Sequence, residues 1–283
     1  MAYHSIQLEF NNKIAHLILN RPAALNSMNR AFWQELPAAI REVDQAEDIR
    51  VLVISSTGKH FSAGMDLEVF SQPDPRMFGG EPSRRAEFMR RLVLELQACF
   101  TALENLRIPV LAAIQGGCIG GALDLVCACD SRYCTEEAFF TIKETELGIT
   151  ADLGTLQRLP KWISPGLVRE LAYTSRHLLA GEAKECGLVN QVFPDQAVML
   201  TAVMEIATQI ASHSPLAVAG SKAMLNYARD HSVAESLNYM ATWQAAMFQA
   251  TDLMESMQAK QAKRATHYAP LHSTAPIMTK SSD

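Results

Sequence analysis

The sequence predicts an α/β fold, with a core of parallel strands alternating with helices and a helical C-terminal region. Three observations carry this expectation. Short, almost unbroken apolar runs recur at residues 14–19 (IAHLIL), 51–54 (VLVI) and 110–114 (VLAAI), the pattern of strands covered on both faces. Helical patterns separate these runs, and strands that alternate with helices pair in parallel. Beyond Pro160 the strand signals fade, apart from LVNQVF at 188–193, and helical patterns dominate.

The first strand is followed by AFWQELPAAIREVDQ, which reads as a helix leading to VLVI. HFSAGMDL (60–67) comes next and ends in a helix-like MDLEVF, so the amides around Gly64 and Met65 lie near a helix start. SQPDPRMFGGEPSRRA (71–86) is rich in Pro, Gly and charge and reads as an exposed loop. Phe88, Leu92, Leu96, Phe100 and Leu103 then mark a helix at steps of three or four. IQGGCIGGALDL (114–125) repeats the arrangement of strand, paired glycines and helix. Past Pro160 come GLVRELAYT, GEAKECG, QAVMLTAVMEIATQIASH, PLAVAGSKAMLNYARD and one long pattern from Val233 to Arg264, all helical. The division expected is an α/β core over 1–195, a helical oligomerisation region over 196–263 and a tail over 264–283 that is frayed or bound by a partner.

With 283 residues, 48% hydrophobic and 19% charged, the chain is long enough for a sizeable buried core. A net charge of −5 gives no general attraction to nucleic acid or to an anionic membrane. Residues 108–129 carry a single charge, Asp124, but Pro109, Gln115 and four glycines make them a poor membrane span. Six cysteines without a CxxC pair fit a reducing interior. The first ten residues do not read as a targeting segment and the last seven are not a peroxisomal signal, so cytoplasmic residence is the expectation.

The glycine loops do not match nucleotide-binding patterns. GGCIGG is not GxGxxG, and GxxxxGK[ST] is missing. Two helix starts approached closely by backbone can instead jointly hold one oxyanion, although paired glycines also serve simply to make tight turns. KETELGITADLG (143–154) adds carboxylates. Glu144 alone reads as a solvated acid at a strand end, and Glu146 falls on the same face if the strand continues. Asp152 has the position of a helix N-cap. Asp124, on a buried helix, needs a partner or a pocket to face. His60 reads as a structural hydrogen-bonding residue.

SAGMDL, IQGGCIGGALDL with ACDSRY behind it, and LGITADLGTLQRLP followed by AYTSRHLLAGEAKECGLVNQVFP together resemble the crotonase, or enoyl-CoA hydratase and isomerase, superfamily, in consistent order from Ile14 to Lys263. DLVCACDSRYCTEEAFFTIKETELGITADLGTLQRLPK and RDHSVAESLNYMATWQ are similar to its dienoyl-CoA isomerase subgroup, which converts 3,5-dienoyl-CoA to 2,4-dienoyl-CoA. The resemblance implies a crotonase fold, a repeated ββα spiral with a C-terminal helical trimerisation region. It also implies an oxyanion hole from the backbone N–H groups of Met65 and Gly121, with Ala63, Gly64, Asp66 and Leu67 lining the CoA and thioester site. Glu144 takes the place of the superfamily's catalytic Glu, Asp152 the place that distinguishes dienoyl isomerases, and Asp124 that of the hydratases' second Glu, here as an orienting or electrostatic partner.

The expected reaction moves a proton from C2 to C6, with Glu144 at C2 and Asp152 at C6 or the reverse. It requires no cofactor or metal, because coenzyme A is part of the substrate. An enoyl-CoA hydratase or 3-to-2 enoyl isomerase is the alternative within enzymes, and a non-catalytic acyl-CoA or RNA-binding member the alternative outside them. The family assembles as a homotrimer or a dimer of trimers. Tyr239, Met240, Trp243, Met247, Leu253 and Met254 supply either such an interface or the chain's own core.

Overall fold

The computed structural model describes residues 3–276 except 73 and 249. In chain order the elements are β1 (Ile6–Asn11), β2 (Ile14–Leu19), α1 (Arg30–Gln45), β3 (Val51–Ser56), α2 (Leu67–Ser71), α3 (Pro82–Asn105), β4 (Val110–Ile114), β5 (Gly117–Ile119) and α4 (Gly121–Cys127). There follow β6 (Ser131–Thr135), β7 (Phe139–Thr141), α5 (Thr155–Arg158), α6 (Pro165–Thr174), β8 (Leu178–Leu179), α7 (Ala180–Glu185) and β9 (Gln191–Phe193). The chain closes with α8 (Gln196–Ala211), α9 (Pro215–Asp230), α10 (Val233–Met247) and α11 (Ala250–Ala262).

The three apolar runs are β2, β3 and β4 at the centre of a six-stranded sheet ordered β1-β2-β3-β4-β6-β9. β1 pairs antiparallel with β2, and the other neighbours run parallel. Side chains alternate along a strand, so each run feeds two cores. Leu52 and Ile54 of β3 and Val110, Ala112 and Ile114 of β4 join the larger cluster, which contains Phe32 and Leu36 of α1 and Phe100 and Leu103 of α3. Val51, Val53, Leu111 and Ala113 face the other way, onto Met199, Val203, Ala207 and Ala211 of α8. This is why the runs are apolar without alternation. It also places α8, grouped by the sequence with the C-terminal helices, on the sheet itself.

Several elements differ from expectation for local reasons. The helix after the Pro- and Gly-rich stretch starts earlier, at Pro82, because Glu81 accepts from the amides of Ser83 and Arg84. Pro37 sits inside α1 and leaves the Trp33 carbonyl without its helical donor, and the Cys99 thiol of α3 lies 3.8 Å from that oxygen. The long C-terminal pattern divides into α10 and α11. β1 was not expected, as most of its residues are exposed or half-exposed. A second, three-stranded sheet, β5-β7-β8, has strands of two or three residues, too short to show a periodicity.

Residues 264–276 are docked rather than frayed. Arg50 donates to the Tyr268 carbonyl at 2.8 Å, the Tyr268 and Ser256 hydroxyls meet at 2.6 Å, and Thr274 bonds Asp44 at the end of α1. Residues 277–283 of the expected tail lie outside the described residues. Among the described residues no helix is long and apolar enough to cross a membrane.

Met199 is fully buried between α8 and the sheet. Met199→Ala is expected to lower unfolding stability by about 2–5 kcal/mol in urea denaturation, and a loss under about 0.5 kcal/mol would show that α8 is dispensable to the core.

Candidate active site

Two glycine-bearing segments meet where β3 and β4 end. Following β3, residues 61–66 run beside β5: the Ser62 amide donates to Gly117 O at 3.1 Å and the Ile119 amide to Ser62 O at 3.1 Å. Gly64 has φ +82°, and a methyl group there would stand 2.5 Å from the Ile119 carbonyl, so only glycine fits. On either side of Met65, the Gly64 carbonyl accepts from Met28 N and the Asp66 amide donates to Met28 O. The Met65 amide is left pointing away, with no protein acceptor among the described residues.

The second segment turns at Gly120, with φ 54° and ψ −121°, and starts α4 at Gly121. The Gly120 amide is used by Thr141 O at 2.9 Å, whereas the Gly121 amide, first in its helix, has no protein acceptor among the described residues. A methyl on Gly121 would lie 3.9 Å from the Met65 nitrogen, so the two free amides stand side by side. One small anionic oxygen is what such a pair can bind.

The other residues of the first loop divide by role. Asp66 caps α2 through the Glu68 amide and accepts from Ser27 Oγ at 2.7 Å and Arg21 Nη1 at 3.1 Å. These bonds, the Glu68 amide first, hold its carboxyl below the usual range, and they shape the loop. Ala63 is tied by its amide to Leu25 O, and the Leu67 side chain is exposed. His60 Nδ1 accepts from the Gly117 amide at 2.8 Å, and burial lowers its pKa, in keeping with a structural role.

The acids come from α4 itself and from the chain that follows β7. Glu144 opens a 3-10 turn over Glu144–Leu147 instead of ending a strand, and Gly148, with φ 76°, closes it. The Ile149 amide donates back to Glu144 O at 3.0 Å, which completes the chain reversal. The turn sends Glu144 inward, at 9% exposure, and Glu146 outward to pair with Lys143. A shared face for Glu144 and Glu146, expected from a continuing strand, is therefore not found. A methyl on Gly120 would lie 3.2 Å from Glu144 Oε1, so the carboxyl packs directly on the segment that supplies the Gly121 amide.

Asp124, one turn into α4, is 1% exposed, and its Oδ1 accepts from the Thr155 amide at 2.5 Å. Asp124 thus satisfies the first amide of α5 from another helix. The N-cap position expected for Asp152 is occupied by Gly154, and Asp152 is held through its carbonyl, by Gln97 Nε2 at 2.6 Å. Its carboxyl remains solvent-accessible.

Electrostatics tie the three acids together. Burial, and next the charge of Asp124, push Glu144 up to about 7, and Asp152 adds to the shift. Asp124 is pushed up to about 6 by burial against the opposing Thr155 bonds, again with Asp152 raising it. Desolvation also raises Asp152. Glu144 Oε2 is buried without a hydrogen-bond partner among the described residues, unusual for a carboxyl oxygen and consistent with a group that must meet a substrate. A separate cleft of about 420 Å³ lies behind the turn, against Ile149, Leu156 and Tyr173, and touches none of the acids or free amides.

The enoyl-CoA hydratase/isomerase family matches residues 9–270. The chain belongs to this family. Delta(3,5)-Delta(2,4)-dienoyl-CoA isomerase, mitochondrial, of Rattus norvegicus is 48% identical over 264 residues, covering 93% of this chain and 81% of the relative. The enzyme of that name from Arabidopsis thaliana, peroxisomal, is 44% identical over 94% of this chain and 96% of the relative. Enoyl-CoA hydratase from Bacillus anthracis superposes with a TM-score of 0.82 at 31% identity, covering 94% of this chain and 99% of that one. The crotonase fold of the family is the one expected.

The mitochondrial and peroxisomal names correct the expectation of cytoplasmic residence. That expectation rested on the first ten and last seven residues not reading as targeting signals, with the cysteines as support, and five of these are buried in the core, where a thiol is a small hydrophobe whatever the compartment.

Thr155 and Gln97 carry no signal in the sequence, whereas Gly120 stands in the glycine pair that was read between strand and helix, without the contact to Glu144.

Glu144 binds its proton more tightly in the folded chain than in the unfolded one, so its contribution to stability is present below its unfolded pKa and is lost as pH rises through about 7. Glu144→Gln, which cannot ionise, is therefore expected to raise Tm relative to wild type at pH 8, with the gap closing towards pH 4.5. A wild-type Tm that exceeds the variant's at pH 8 would contradict a desolvated Glu144.

Proposed function

We propose that the chain is a dienoyl-CoA isomerase, moving the double bonds of a 3,5-dienoyl-CoA to the 2,4 positions during β-oxidation of unsaturated acyl chains. The observation that carries this reading is the Glu144 carboxyl packed against Gly120, next to the free amides of Gly121 and Met65. The names of the rat and Arabidopsis relatives support it.

In this reading the thioester oxygen accepts from the Met65 and Gly121 amides. A thioester held there places C2, the carbon beside the carbonyl, towards Glu144. Ionised Glu144 takes the C2 proton, the electron pair moves into the conjugated system, and the enolate oxygen is stabilised by the two amides, each worth about 3–4 kcal/mol in the transition state. Protonated Asp152 then delivers a proton to C6. Turnover leaves Glu144 protonated and Asp152 ionised, and proton exchange with solvent resets the pair. Glu144 and Asp124, pushed up to about 7 and about 6, do not both ionise fully near neutral pH, so Glu144 exchanges between its acid form and the base form that takes the C2 proton, while desolvation raises Asp152 too and so favours its acid form. Asp124 anchors α5 through Thr155 and keeps the field negative. With one oxygen already engaged, it is poorly placed to activate water, which disfavours hydration. These steps draw on carboxyls and amides alone, so the reading asks for no metal or redox cofactor.

The proposed assembly is a homotrimer or a dimer of trimers. Leu237, Met240, Met247, Leu253 and Met254 of α10 and α11 are exposed, whereas Tyr239 packs at a tilt on Tyr227 and Trp243 lies against Gly220, both within the chain. An apolar face of this kind supports burial against a neighbouring subunit.

With 3,5-octadienoyl-CoA as substrate, the conjugated 2,4-dienoyl chromophore is expected to appear with wild type. Glu144→Gln and Asp152→Asn are each expected to lower kcat by about 10²–10⁴-fold. Full activity in both variants, or water addition to crotonyl-CoA in preference to isomerisation, would overturn the reading. Light scattering is expected to give a trimer or hexamer, and a monomer at micromolar concentration would reject the assembly.

A further inference from the structure

Asp152 has an unusual support. Its carboxyl makes no hydrogen bond to another residue's side chain among the described residues, so its direction is set by the main chain that carries it. That main chain is held at successive points from different elements. The Asp152 carbonyl accepts from Gln97 of α3 at 2.6 Å. The Leu153 carbonyl lies 3.4 Å from Arg158 Nη1, and the Thr155 amide donates to Asp124 of α4. Arg158 is itself fixed to α3, through Thr101 Oγ1 at 3.0 Å and Glu104 Oε2 at 3.0 Å, and its ion pair with Glu104 is largely buried. Gly154, with φ +132°, lets the guanidinium pass, because a methyl there would lie 1.9 Å from Arg158 Nη1.

Gln97, Thr101 and Glu104 are spaced i, i+4 and i+7 and form one face of α3. Arg158 anchors that face to the start of α5. Of the three contacts, only Gln97 bonds Asp152 itself.

We propose that Gln97 is a positioning residue for the second acid: by holding the Asp152 carbonyl it fixes the main chain from which the solvent-accessible carboxyl reaches the acyl chain. The proposal rests on the reading of Asp152 as the group that protonates C6. The Gln97 side chain bonds the Asp152 carbonyl and neither Glu144 nor the Met65 and Gly121 amides, so its removal should spare proton abstraction at C2 and impair only delivery at C6. A residue that merely stabilised the fold would lower both together.

The two half-reactions separate in D2O. The full-length protein is incubated with 3,5-octadienoyl-CoA, product is followed by its chromophore, and recovered substrate is examined for deuterium at C2. For Gln97→Met, which keeps the length and helix preference of the side chain but lacks the donor, kcat is expected to fall about tenfold with KM within about twofold. The ratio of C2 exchange to product formation should rise about tenfold. Because the ratio is taken within one sample, it does not depend on the fraction of folded enzyme. A ratio equal to that of wild type, a loss confined to KM, or an unchanged kcat would each overturn the proposal. Asp152→Asn in the same assay separates the two levels: if it retains wild-type kcat, the reading of Asp152 fails and the role of Gln97 falls with it. If Asp152→Asn is impaired and Gln97→Met is not, only the role of Gln97 fails.

Discussion

The Glu144 carboxyl lies against the backbone of Gly120, and much of the architecture around it serves to make that contact possible. An acid placed there is largely out of water and feels the charges of Asp124 and Asp152. Each surrounding feature meets one requirement of this arrangement. Gly120 provides the space, the Glu144–Leu147 turn aims the side chain inward, and Gly148 reverses the chain so that Asp152 returns to the same region. Burial and the neighbouring charges make Glu144 hold its proton more tightly than a free carboxyl, up to about 7, as expected where a site must take up and release a proton near neutral pH.

The central sheet was legible because its strands are buried on both sides. Unbroken apolar runs at β2, β3 and β4 follow directly from the two cores they feed. Edge and miniature strands were not: β1 shows its outer residues to solvent, and β5, β7 and β8 are too short for alternation to register. α8 was legible as a helix but not as a core element, since an apolar face in a sequence does not say which surface covers it.

The site was legible in its parts and not in its joints. Glu144, Asp152, Asp124, Met65 and Gly121 all stood out through the resemblance, and the structure brings their segments together. The bonds that hold them, from Thr155 to Asp124 and from Gln97 to Asp152, join residues 31 and 55 positions apart. No local pattern announces contacts at such separations. Asp152 shows the limit most plainly, because its position before a helix reads as a cap, whereas the cap is supplied from α4.

The docking of residues 264–276 has a consequence for where this chain can end. Arg50, immediately before β3, is buried, and its acceptors are the carbonyls of Ala211, His213 and Tyr268. A chain closing before Tyr268 would leave a cation inside the protein with one acceptor fewer, beside a guanidinium nitrogen that already lacks a partner. Residues 264–276 thus work as a fastener: through Tyr268 they supply one of the carbonyls that hold the buried guanidinium standing immediately before the strand that leads into the Met65 loop.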